Sequence, residues 1–243
     1  MIVLLIVALL LILIVLLALK RKKIDLVIAR YNEDLDWLYD IDLKAFRKVI
    51  IYNKGEQLGP MKHCKIIPLP NVGRCDHTYL YHIIHNYGKL GKVTIFMPAS
   101  CNMPNKWAIA QRLINHTLKH ETSAFFGHRY KDVLKDMYDF KLDEWKASES
   151  KNAKANPETK LAPCPERPFG KWYEKNFGNL HITAVAYLGM FCVSKKHIHN
   201  RTLESYKKLI KYLDYHSNPE AGHYFERAWL AIFNPVDEEY IIN

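Results

Sequence analysis

Ile24-Asp25-Leu26-Val27-Ile28-Ala29-Arg30-Tyr31-Asn32-Glu33-Asp34 (24–34) is an apolar, β-branched run that breaks off into a polar cluster. That is the pattern of a buried strand ending in a loop. A second run, Lys48 to Tyr52, closes at Asn53-Lys54-Gly55, residues that end a strand in a turn. Between them Leu35, Leu38, Ile41 and Phe46 recur at roughly helical spacing, so the opening reads β-α-β. Working outward, Cys64 to Pro68 predicts a short third strand and Val93 to Met97 a further buried one. Asp76 is placed to cap a helix running to Tyr87, with Leu80, Ile83, Ile84 and Tyr87 as its apolar stripe and Gly88 as its stop. Thr183 to Ser194 predicts another core strand, and Leu203 to Leu213 and Ala221 to Phe233 predict helices. Strands alternating with helices specify an α/β fold, a mostly parallel central sheet flanked by helices.

Ahead of this domain, Ile2 to Leu19 is an unbroken apolar run without a charge. As a helix it would be roughly 27 Å long, close to the hydrocarbon thickness of a bilayer. A signal peptide would need a basic start and a small-residue cleavage site, and neither is present. The expectation is one transmembrane helix in an anchor segment, 1–23, followed by a single domain, 24–243. The net charge is +10, and Lys20, Arg21, Lys22 and Lys23 supply four of it, so the rest of the chain carries +6. Their position directly after the apolar run predicts a single-pass protein with its C-terminal domain on the cytoplasmic side. Five cysteines without a CxxC pair read as free thiols. The Lys-, Ser-, Asn- and Pro-rich stretch 147–168 reads as a mobile surface loop.

Arg30, Asn32 and Glu33 stand where the first strand ends, the edge at which open α/β sheets bind ligands. An ordinary cap and ion pair would also explain this cluster. Asn53 and Lys54 end the second strand on the same edge, placed for a base or ribose or for a plain turn. Asn71-Val72-Gly73-Arg74-Cys75-Asp76-His77 joins a permissive glycine, a fixed cation and a helix start, a combination that holds phosphate oxygens. In Gly222-His223-Tyr224-Phe225-Glu226-Arg227-Ala228-Trp229, Glu226 is a candidate base and Arg227 an anion contact, or both tie the helix to the sheet. His77, His82 and His85 lack metal-ligand spacing and acidic partners, so no metal ligand is assigned. P-loop, GxGxxG and GxSxG motifs are missing, which leaves kinase-type, dehydrogenase and serine-hydrolase readings unsupported. A charge of +6 without an aromatic-basic motif does not favour nucleic acid.

IARYNEDLDWL (28–38), IYNKG (51–55), LPNVGRCDHTYLYHIIHNY (69–87), VTIF (93–96), RPFGKWY (167–173), GMFCVSKKHI (189–198) and HYFERAWLAIF (223–233), in this order, carry a resemblance. The chain resembles a family known only as a domain of unknown function, found in fungi, bacteria, algae and large DNA viruses. That family is itself similar to nucleotide-sugar glycosyltransferases of the GT-A type. The resemblance implies a GT-A-like domain and a membrane-anchored hexosyl- or pentosyltransferase that takes a nucleotide-sugar donor and a glycan or glycoprotein acceptor. It nominates Glu226 as the catalytic base, and Asp76 is the second candidate catalytic carboxylate. Taken with the residue readings above, the expected substrate contacts are Arg30, Asn32, Glu33, Asn53, Lys54, Asn71, Gly73, Arg74, His77, Lys106, His223, Arg227 and Trp229. Mn²⁺ or Mg²⁺ would be the cofactor of such enzymes, but Pro98-Ala99-Ser100 stands where an Asp-x-Asp motif would follow the strand 93–97, and Cys75 replaces an acid after the arginine. Without a metal, Arg74 and Lys106 are the expected counter-charges of a leaving diphosphate. The alternative is a non-catalytic, membrane-anchored binding module that keeps the same fold.

Overall fold

The computed structural model describes residues 22–145 and 160–242. Alternate residues of β1 (Ile24–Arg30) face opposite ways: Leu26 and Ile28 enter one core, Val27 and Ala29 the other. Both faces of the sheet therefore need cover, and the result is a mixed α/β fold of three layers. The other strands are β2 (Lys48–Asn53), β3 (Cys64–Pro68), β4 (Val93–Pro98), β5 (Ala124–Phe126), β6 (His128–Arg129), β7 (Ala184–Val185), β8 (Phe191–Ser194) and β9 (Ile241–Ile242). Seven of them form the central sheet in the order β3-β2-β1-β4-β8-β5-β9, and β6 pairs with β7 apart from it. Pairings β3-β2, β2-β1, β1-β4 and β5-β9 are parallel, whereas β8 runs antiparallel to both its neighbours.

The helices are α1 (Arg74–Asn86), α2 (Trp107–His120), α3 (Val133–Asp136), α4 (Phe169–Phe177), α5 (Lys195–His199), α6 (Leu203–Ile210) and α7 (Ala221–Ile232). Tyr79 and Leu80 of α1, Trp172 of α4, Tyr206 of α6 and Trp229 of α7 fill the larger core, while Ala110, Leu113 and Ile114 of α2 fill the smaller with Trp37 and Leu38.

Four expectations are corrected. The segment between β1 and β2 forms two short 3-10 turns, Asp36–Asp40 and Leu43–Ala45, instead of an α-helix. Asp42 accepts a hydrogen bond from the Lys44 N–H, the local side-chain bond by which aspartate competes with a helical backbone. Asp76 does not cap α1. The helix begins two residues earlier, after Gly73 at φ +59°, where an added Cβ would lie 2.5 Å from the Leu213 carbonyl oxygen. The run 183–194 is two strands in two sheets, because Leu188 and Gly189 both take positive φ (71° and 66°) and turn the chain between them. Within the expected loop 147–168, Leu161 and Cys164 are buried and Ala162 bridges to Pro219, so its last part packs on the domain. Its residues 147–159, like the apolar run 2–19, lie outside the described residues. Among the described residues, no helix is long and apolar enough to cross a membrane.

Candidate functional site

β1, β2 and β3 step successively to one side of the sheet, and β4 then returns to the other side of β1. The carboxyl edge beside such a reversal is where neighbouring connections diverge and leave a crevice. A cleft of about 370 Å³ opens there, within the size range of small-molecule sites. Ala29, Arg30 and Glu33 reach it from the end of β1, Lys54 from β2, Asn71, Arg74 and Cys75 from the start of α1, and Pro98, Ser100 and Lys106 from β4. Trp145, Tyr187, Asn218 and Glu226 close it from the later half of the chain.

The loops under the cleft are tied to one another. Arg30 donates to the carbonyls of Glu33 (2.8 Å) and Tyr31 (3.0 Å) and to Asn53 Oδ1 (2.6 Å). Asn53 donates onward to the Glu56 carbonyl (2.8 Å), and Asn32 Oδ1 accepts from the Glu56 N–H (2.8 Å). Glu33 accepts from the Tyr31 N–H at 2.7 Å. Arg30, Asn32, Asn53 and Glu33 thus spend most of their polar capacity holding the two strand-end loops in place. Lys54 is buried, and its Nζ donates to the carbonyls of Val72 and Arg74, each at 2.5 Å. Burial disfavours its charge and brings its pKa down to about 8, although Cys75 and Asp76 pull the other way.

Across the cleft, Arg74 Nη1 lies 3.0 Å from His223 Nε2. A guanidinium only donates, so Nε2 is the acceptor and the imidazole proton sits on Nδ1, which faces Glu226 Oε2 at 3.6 Å. Burial holds the His223 pKa down, and Arg74 and Arg227 add to this against the pull of Glu226, which keeps the ring neutral at pH 7. Burial also works against the charge of Glu226, but His223, Arg74 and Arg227 outweigh it and hold its carboxyl below the usual range. Asp76 is the opposite case: burial, then the charge of Glu226, raises its pKa to about 7 despite Arg74 and a hydrogen bond from Trp229 Nε1 (3.0 Å). Two carboxyl groups of one site are pushed apart, one ionised and one half-protonated at neutrality.

The structure gathers Arg30, Glu33, Lys54, Asn71, Arg74, Lys106 and Glu226 on the cleft. It places the other expected residues elsewhere. Asp76 and His223 stand one layer behind, against Trp229 and Arg74 respectively. Gly73 forms the turn into α1, and His77 and Trp229 are buried. Arg227 donates to the His223 carbonyl and stacks on Phe140, with its Cζ 3.5 Å from the ring centroid. Sequence reasoning missed Trp145, whose ring centroid lies 3.8 Å from Arg74 Cζ, and Tyr187, Asn218 and Ser100. Leu188, next to Tyr187, takes positive φ, as Arg74 does on the same cleft, a strain typical of binding sites, and neither residue type gives a sequence signal of it.

The donor set does not fit Mn²⁺ or Mg²⁺. Glu33 and Glu226 are the acidic residues on the cleft, against Arg30, Lys54, Arg74 and Lys106, whereas these ions take several clustered oxygens. Among the described residues, no group of three or more His, Cys, Asp or Glu could hold a metal ion. Asp34, after β1, accepts a hydrogen bond from Asn102 Nδ2 at 3.2 Å.

No curated protein and no solved structure matches the chain. A family described as "Protein of unknown function (DUF3431)" matches residues 26–240, a span that takes in the strand-end loops, α1 and α7, and thus every side chain that lines the cleft. The chain that builds this cleft belongs to the DUF3431 family.

Proposed function

We propose that the chain is a glycosyltransferase with a GT-A-like domain, moving a hexosyl or pentosyl group from a nucleotide sugar to a glycan or glycoprotein acceptor. The observation that carries this reading is the placement of Glu226, whose carboxyl is held below the usual range by His223, Arg74 and Arg227 against its burial, on the same cleft as Arg74 and Lys106. Glycosyl transfer needs both ends of that arrangement. An acceptor hydroxyl must lose its proton as it attacks the anomeric carbon, and a carboxylate held in its charged form accepts it. The bond from that carbon to the phosphate oxygen breaks at the same time, and the departing diphosphate gains negative charge that a guanidinium and an ammonium offset in a partly dehydrated cleft. His223 fixes both groups, since one ring nitrogen takes Arg74 and the other faces Glu226. Asp76 acts from behind, through Trp229 and the field it shares with Glu226.

The apolar run 2–19 and the basic cluster after it extend the proposal to a single-pass protein with the domain on the cytoplasmic side. Incubating the full-length chain with a panel of nucleotide sugars, with thermal shift and release of free nucleoside diphosphate as readouts, tests the reading. A stabilising donor and acceptor-dependent release are expected. A donor that binds without being consumed, whatever acceptor is offered, would leave a binding module, and no response to any nucleotide would remove both.

A further inference from the structure

Lys54 is a buried cation that, among the described residues, makes no ion pair with an acid, although the charge of Asp76 acts on it. An ammonium has three protons. Two are directed to the carbonyls of Val72 and Arg74, and Lys54 is among the residues that line the cleft, which leaves one proton for a ligand there. Neutral carbonyls compensate a buried charge only in part. The charged and titratable groups around it are Arg74, Cys75, Asp76 and His77 on α1, Arg30 at the end of β1 and Glu33 after it, Lys106 before α2, and His223 and Glu226 on α7. The acid nearest in sequence to its carbonyl partners, Asp76, takes its hydrogen bond from Trp229 instead.

We propose that Lys54 is a phosphate-binding residue, completing with Arg74 and Lys106 a seat of three cations for the diphosphate of a nucleoside diphosphate. The three come from three different connections at the carboxyl edge of the sheet, after β2, after β3 and after β4, and so surround the anion from separate directions. The backbone N–H groups of the first turn of α1, which have no partner within a helix, lie beside Arg74 and add to the same field. Three cations suit the two phosphates of a diphosphate better than the one of a monophosphate. By also bonding the carbonyls of Val72 and Arg74, Lys54 fixes the loop that presents Arg74, so one residue both positions that cation and supplies its own.

The consequence is a pH-dependent affinity. The amine is charged below about pH 8 and neutral above it, whereas a terminal phosphate has titrated by pH 7.5. Asp76, at about 7, gains its charge in a lower window. The inference rests on the glycosyltransferase reading for its ligand, and binding measured apart from transfer separates the two.

The experiment is calorimetric titration of UDP and GDP into the full-length chain at pH 7.5 and 9.5, with Lys54→Met and Lys54→Arg alongside and ligand-free melting recorded for each. Wild type should lose roughly 10-fold or more in affinity for at least one probe between the two pH values. Folded Lys54→Met should bind about 10- to 100-fold more weakly at pH 7.5 and lose little more at 9.5. Lys54→Arg, which does not titrate in this range, should stay flat. A folded Lys54→Met with wild-type affinity, a flat wild-type profile, or no binding of either nucleotide would overturn the inference. Binding as described without any sugar transfer would leave it standing and remove the glycosyltransferase reading.

Discussion

Glu226 and Asp76 carry the same functional group, yet their surroundings drive them to opposite ends of its titration range. Glu226→Gln keeps the shape and removes the base, so transfer should fall by about 10²–10⁴-fold. Its contact with His223 Nδ1 is long, 3.6 Å, and its side chain is 24% exposed, so melting temperature and donor affinity should hardly move. A variant that unfolds early but transfers at the wild-type rate would mark Glu226 as a structural anchor. For Asp76 the expected readout is stability. Its folded pKa of about 7 lies above the ordinary 3.8, so the stability it contributes is full below about pH 3.8 and is lost as pH rises through 7. His77 and His82, both with pKa values lowered to about 3 chiefly by burial, act in the opposite sense below pH 6.5. The informative quantity is therefore a difference: wild type minus Asp76→Asn, by urea denaturation, should decline between pH 5 and 8. A difference independent of pH would show that Asp76 is not the group titrating. The sequence made the site's location legible, because open sheets bind at their carboxyl edge and the polar clusters stand at strand ends. Individual roles were hidden, because the partners that settle them, Arg30 with Asn53 and Asp76 with Trp229, are far apart in the chain.

Legibility at the level of elements followed length and periodicity only in part, since α2, with 14 residues, has no counterpart among the sequence-based expectations. β1 to β4, α1, α6 and α7 announce themselves through long apolar patterns. β5, β6, β7 and β9 span two or three residues each, too few to show a period, and their pairing is decided by what lies beside them. The segment around α4 is held by Glu220, whose fully buried carboxylate accepts from the N–H groups of Leu142 (3.0 Å) and Cys164 (2.9 Å), from Arg167 Nε (2.9 Å) and from the Tyr224 hydroxyl (2.8 Å). One residue before α7 thereby fastens two distant stretches to the larger core, and Trp145 on the cleft lies three residues beyond Leu142. Glu220→Ala would strand four donors, among them a cation. It should lower stability by roughly 3–5 kcal/mol in chemical denaturation, the cost of breaking a buried pair. A loss below about 1 kcal/mol, the scale of an exposed pair, would mean that water replaces the carboxylate and that the staple is not structural.

At the scale of the whole molecule, the proposed anchor would set the orientation through the end of the sheet at which the chain enters the domain. β1 starts at Ile24, directly after the basic run, and Lys23 is bound to Glu121 at 3.1 Å, which fixes the incoming chain against the end of α2. The cleft lies at the other end of the same strand, beside Ala29 and Arg30. A strand advances about 3.3 Å per residue, so six steps place the cleft roughly 20 Å from the point where the chain enters the domain. If 2–19 is a membrane anchor, as proposed, the amino edge of the sheet faces the bilayer and the cleft opens away from it. An acceptor sugar held close to a lipid headgroup would not reach Glu226, whereas a soluble or far-projecting glycan would. The full-length chain reconstituted in vesicles should therefore modify a soluble acceptor at the same rate as in detergent, within about twofold. It should prefer that acceptor to the same sugar attached directly to a lipid. A rate that rises by an order of magnitude when the acceptor is lipid-linked and shares the vesicle would show that the domain lies down on the membrane, with its cleft turned toward the bilayer.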